Sequence, residues 1–277
     1  MQSNNSLACM GLEPEFLLLL LALGLLNGIL AGLFGIGGGL VIVPAMVWLL
    51  PQIGVPSEHI MHMALATSMA TICFIAVSSA LSHYRRGSVS IRLLKLLVPG
   101  IMIGALLGSY LAKLMNTEWL AWIFGFFSIL MGLRMMIDKL PVAKGERLHW
   151  RHATPSAMVM GALSSLVGIG GGSLVVPYLL FHKEKLVMSI GTAAACGLPL
   201  AIMAAVGYIA LGWNVAELPD YHLGYVYLPA MIAIAVGSIV TAPLGAYLAH
   251  RLPTKVIKRF FALLLIVVGI KIITEYL

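Results

Sequence analysis

Apolar residues run almost unbroken through ten stretches, approximately 15–34, 40–50, 62–82, 93–113, 118–138, 154–167, 173–182, 186–211, 223–249 and 255–275, and the charged residues collect between them. A helix needs roughly 20 apolar residues to cross the hydrocarbon core of a bilayer. The pattern therefore predicts an all-α polytopic membrane protein. Three stretches, 40–50, 154–167 and 173–182, are too short to span, and each borders a glycine loop: Gly35-Ile36-Gly37-Gly38-Gly39 or Gly168-Ile169-Gly170-Gly171-Gly172. A helix hairpin broken at glycine, followed by three transmembrane helices, is expected twice.

The two loops belong to an internal repeat with an offset of 133 residues at the glycines, since 35 pairs with 168. Each is followed five residues later by proline, Pro44 and Pro177. Downstream, Ala66-Thr67-Ser68 matches Gly191-Thr192-Ala193, and Pro99 matches Pro229. Gly108-Ser109-Tyr110-Leu111-Ala112 matches Gly245-Ala246-Tyr247-Leu248-Ala249, and Gly132-Leu133-Arg134 matches Gly269-Ile270-Lys271. The expected organisation is an N-terminal segment 1–14, a first membrane repeat 15–138, a charged linker 139–153 and a second membrane repeat 154–277.

Composition supports this reading. The chain is 61% hydrophobic and 10% charged, with a mean hydropathy of +1.02, outside the range of ordinary soluble domains. The net charge of +7 could suggest a nucleic-acid partner, but the basic residues flank apolar runs instead of lining a soluble face. If 83–95, 134–153, 183–185 and 250–259 face the cytoplasm, that side holds 15 of the 17 Lys and Arg residues. Both termini then lie outside, the two hairpins enter from opposite sides, and the repeats are inverted. Inverted halves with broken helices recur in secondary transporters, with substrate near the midplane. The stretch from Phe16 to Leu26 resembles a signal peptide but follows Glu13 and Glu15 in place of basic residues, and is expected to be the first membrane helix.

Glycine-rich backbone at membrane depth survives only where it is buried in protein or lines a wet cavity. A helix restarting after such a loop turns unpaired N–H groups and a positive dipole end toward it, which suits an anion. Close helix packing is the competing explanation for the glycines. All ten acidic residues lie at helix ends or in loops, and the middles of the spans lack Lys and Arg as well. A bound anion would then rest on neutral donors. The expected substrate-binding set is Gly35, Gly37, Gly38, Gly39, Thr67, Ser68, Gly168, Gly170, Gly171, Gly172, Ser173 and Thr192, with Asn27, Thr71, Ser164 and Ser165 as further polar candidates. His62 is the candidate for a proton-linked step. The Met61-His62-Met63 run has no mirrored ligand cluster, and Cys9, Cys73 and Cys196 have no ligand spacing, so no metal or cofactor is expected. No Ser/His/Asp or Cys/His constellation supports an enzyme.

The twin GIGGG loops with their prolines, repeated in halves of about equal length with the downstream Ala-Thr-Ser and Gly-Thr elements, resemble the TauE/SafE family of sulfite and organosulfonate exporters. The resemblance runs from about Gly24 to Ile273. It implies a bacterial inner-membrane carrier that moves sulfur-containing anions such as sulfite or sulfoacetate, usually outward, with the glycine loops on the transport path. The alternative expectation is an importing permease or channel for another small anion. The second half carries Gly191-Thr192-Ala193-Ala194 where the first has Ala66-Thr67-Ser68-Met69, so the site need not be symmetric.

Overall fold

The computed structural model describes residues 14–34, 38–137, 148–215, 218–249 and 254–276. The expected N-terminal segment up to residue 13, most of the charged linker, and Gly35 and Gly37 of the first loop lie outside the described residues. Ten α-helices account for nearly all the rest: α1 (Pro14–Phe34), α2 (Gly39–Leu49), α3 (Ile60–Arg85), α4 (Ile91–Leu114), α5 (Thr117–Met136), α6 (Trp150–Val167), α7 (Gly172–Phe181), α8 (Leu186–Gly212), α9 (Leu228–Ala249) and α10 (Thr254–Glu275). The helix interruptions fall at the two glycine loops. Among the described residues, six helices are long and apolar enough to cross a membrane, while α2 and α7 belong to the shorter class.

One expected helical stretch begins differently. The apolar run from 223 opens as an antiparallel hairpin, β1 (His222–Leu223) and β2 (Val226–Tyr227). Gly224 takes φ +55° in its turn and packs against the Ile209 carbonyl, where a side chain would collide. Helix α9 starts only at Leu228, with Pro229 in its first turn, where a missing N–H costs nothing. Uniformly apolar sequence carries no periodicity from which this boundary could be read.

Helix α3 forms the axis of the bundle: every residue from Ile60 to Ile72 is buried, whereas in each of the other candidate spans fewer than half of the residues are buried. Around it the helices pair across the repeat. α1 packs on α9 and α4 on α6; α3 packs on α8 and α5 on α10. α4 also meets α8 as α3 meets α9, and α2 leans on α3 as α7 leans on α8. Exchanging each helix for its counterpart in the other half leaves this set of pairings unchanged.

The closest crossings use glycines other than those of the two loops. Gly100, Gly104 and Gly108 form a stripe at four-residue spacing on α4 and abut the carbonyls of Thr154, Met158 and Ala162 on α6. Gly24 and Gly28 on α1 abut Ile234 and Ser238 on α9 in the same manner. Without a hydrophobic drive between helices in lipid, such close backbone approach supplies much of the association. Gly104→Val would push into the Met158 carbonyl, and overpacking of this kind costs about 1–3 kcal/mol. The variant is expected to unfold at a clearly lower temperature in detergent micelles; an unchanged unfolding curve would contradict the crossing.

Candidate substrate site at the paired helix breaks

The second break is a closed helix end. Gly168 adopts φ +69°, its N–H bonds the Ser165 carbonyl at 3.3 Å, and the Ile169 N–H bonds the Ser164 carbonyl at 3.0 Å. This is the Schellman arrangement, which needs a left-handed residue just past the helix and finds it in glycine. The Ser165 carbonyl also accepts the hydroxyl of fully buried Tyr208 at 3.0 Å. Helix α7 restarts at Gly172, and the N–H groups of Gly172, Ser173 and Leu174 find no acceptor among the described residues.

The first break meets the second directly. A side chain at Gly39, the first residue of α2, would run into the Gly168 carbonyl, so the backbones of Gly39 and Gly168 meet directly. That same carbonyl accepts the Ser68 hydroxyl at 2.8 Å, from the middle of α3. Gly38 adopts φ +79°, and the Asn27 side chain of α1 occupies the space where its Cβ would be. Asn27 is wholly buried and donates through Nδ2 to Ser238 Oγ at 3.0 Å; Ser238 in turn donates to the Gly24 carbonyl at 3.0 Å. Gly38 thus must be glycine for its backbone angle and for the neighbour above it.

Thr67 and Thr192 occupy matching positions, and their hydroxyls do matching work. Thr67 Oγ1 accepts the Tyr227 N–H at 3.0 Å, just ahead of α9. Thr192 Oγ1 accepts the Ser90 N–H at 3.0 Å, just ahead of α4. Each threonine therefore ties down the start of a helix from the opposite half. Thr71 bonds back to the Thr67 carbonyl at 2.7 Å.

Pro177 has no N–H for the carbonyl of Ser173 one turn earlier. That carbonyl lies 3.4 Å from the Arg134 guanidinium, which reaches it from the end of α5. Sequence reasoning counted Arg134 as a loop charge, although it belongs to one of the repeat matches. Its counterpart Lys271 lines an apolar crevice of about 270 Å³ beside Leu40 and Pro44 of the first hairpin, again across the two halves.

His62 stands apart from the breaks, at the start of α3. It is buried, with Nε2 2.9 Å from the Ala112 carbonyl, its ring stacked on Tyr225 at 5.2 Å and Nδ1 without a partner. His59 meets it edge-on, and Glu58 lies 3.4 Å from His59. Beside this cluster, burial and then the Glu58 carboxylate push the Tyr225 phenol up from its ordinary value, and burial pushes Tyr227 up to about 12. Both phenols stay neutral across the physiological range. No group of three or more His, Cys, Asp or Glu positioned to hold a metal occurs among the described residues.

Six helices of membrane length among the described residues, with short helices at the two glycine breaks, make this a multi-pass membrane fold. The sequence profile described as sulfite exporter TauE/SafE matches residues 20–272, and the chain belongs to that family. A relative from Haemophilus influenzae, named a probable membrane transporter protein, is 38% identical over 260 residues, covering 92% of this chain and 97% of its own length. The probable membrane transporter protein YunE of Bacillus subtilis is 28% identical over 278 residues, covering 93% and 97%. No solved structure matches the chain.

Two expectations follow from the bonding. Thr67→Val and Thr192→Val each leave a helix-start N–H unpaired and are expected to lose about 1 kcal/mol of stability. Equal, small drops in unfolding temperature would bear this out, and no drop would contradict it. If Pro177 frees the Ser173 carbonyl for Arg134, then Arg134→Gln lowers the unfolding temperature more in the native background than in Pro177→Ala. Identical effects in both backgrounds would show that the proline has no part in the contact.

Proposed function

We propose that the protein is a secondary carrier of small sulfur-containing oxyanions such as sulfite, sulfoacetate or other organosulfonates, working by alternating access between two inverted halves. The family supplies the transporter class and sulfite supplies the first substrate to test. The observation that carries the mechanism is the contact of the two glycine breaks, Gly39 against the Gly168 carbonyl, at the junction of the halves. The exchange of helix pairings between halves supports two equivalent units that rock against each other. An odd number of crossings per half would make them inverted.

The distribution of Lys and Arg supports a bacterial inner-membrane orientation with both termini outside. In that orientation His62 sits toward the outer face, with the His59 and Tyr225 rings and the Glu58 carboxylate around it, and is the group for a coupled proton. Outward flux is the direction that the family description suggests.

Purified protein in proteoliposomes, given labelled sulfite and sulfoacetate with and without an imposed pH gradient, is expected to show saturable flux that the gradient changes. Flux linear in concentration would replace the carrier with a channel. Flux of neither anion by folded protein would overturn the substrate class.

A further inference from the structure

Nearly every buried hydroxyl of the described residues has a hydrogen-bond partner. Ser68, Thr71, Ser88, Ser109, Ser128 and Ser238 all donate to carbonyls, for example. The buried hydroxyls left without one are Ser164, Ser165 and Ser173, and all three flank the second break. Ser164 and Ser165 are wholly buried at the end of α6 and Ser173, 9% exposed, lies in the first turn of α7. A serine inside a helix ordinarily satisfies itself on the carbonyl a turn earlier. Three that do not, around one loop, are buried donors that a ligand would satisfy.

The first break differs in its side chains. The positions matching Ser164, Ser165 and Ser173 are Ala31, Gly32 and Leu40, none of which carries a polar side-chain atom. The unpartnered buried atom there is Asn27 Oδ1, an acceptor that repels an anion. Space is distributed unequally too. Gly38 is filled over by Asn27, whereas a Cβ at Gly171 would make ordinary van der Waals contact, with the Ala193 carbonyl at 3.5 Å and the Gly197 nitrogen of α8 at 3.6 Å. Gly171 has ordinary right-handed angles, so neither conformation nor crowding requires a glycine there.

We propose that the anion is held by the second break alone, on the Ser164, Ser165 and Ser173 hydroxyls and the first N–H groups of α7, which Gly171 leaves uncovered by any side chain. Gly39 of the first break abuts this loop at the Gly168 carbonyl. The ligand is a small oxyanion presenting several acceptor oxygens on one centre, and Arg134, held by the Ser173 carbonyl, adds positive potential. This deepens the reading of the protein as an oxyanion carrier and rests on it for the substrate class.

The test uses the full chain in detergent with Cys9, Cys73 and Cys196 replaced by Ala. Ser173→Cys, and separately Leu40→Cys at the matching position of the first break, are reacted with anionic and cationic methanethiosulfonates. At position 173 the anionic reagent, itself a sulfonate, is expected to react about ten-fold faster or more, with no such preference at position 40. Protection of position 173 by sulfoacetate supports both the seat and the substrate class. Protection by sulfate or phosphate but not sulfoacetate supports the seat and overturns the substrate class. Equal rates with the two reagents at 173, no reaction there in folded protein, or the preference appearing at 40 instead would overturn the assignment. In liposomes, Gly171→Ala adds a methyl group beside the first N–H groups of α7 without a clash and is expected to cut flux at least ten-fold with an unchanged unfolding temperature; native flux would overturn the assignment equally.

Discussion

The constraint on which the structure depends is that a bilayer interior offers no water to a broken helix, so every backbone group freed by the two glycine loops needs a partner inside the protein. The Gly168 carbonyl shows how this is met. It takes a hydroxyl from the central helix of the first half and the bare backbone of the first loop, and so joins the halves at the point where both are discontinuous. A Schellman closure absorbs the last carbonyls of α6, and an arginine from α5 accompanies the carbonyl that Pro177 leaves free. What remains open is a set of donors.

Most of the remaining bonding repeats across the halves. Thr67 and Thr192 hold the starts of α9 and α4, and glycine stripes bring α1 onto α9 and α4 onto α6. The framework bonds are thus shared by the two halves, while the unpartnered buried serine hydroxyls of the described residues all flank the second break. His62 and its neighbouring rings join the start of α3 and the end of α4 to the hairpin before α9.

Much of this was legible beforehand for a physical reason. Apolar runs of membrane length, glycine loops and the repeat are statements about backbone, and the helices fall within a few residues of the stretches that announce them. The hairpin at 222–227 was not legible, because apolar strand and apolar helix look alike without periodicity. Nor was the role of Pro177, which becomes apparent only when Arg134 is found beside the carbonyl it frees. The glycine stripe at 100, 104 and 108 carried a readable four-residue spacing that points to a close crossing. Ser164, Ser165 and Ser173 were visible as polar residues near a break, but their lack of partners depends on three-dimensional neighbours. For Thr67 and Thr192 the sequence showed the match between halves, and the structure supplies the N–H groups that they hold.

The proposed seat of the anion is the second break, beside its contact with the first. Crystals grown with a bromine-bearing alkanesulfonate and measured at the bromine edge test it most directly. The account predicts an anomalous peak beside α7's first turn, within reach of Ser164, Ser165 and Ser173. A peak only at the lipid-facing surface, or in the crevice beside Lys271, would contradict it.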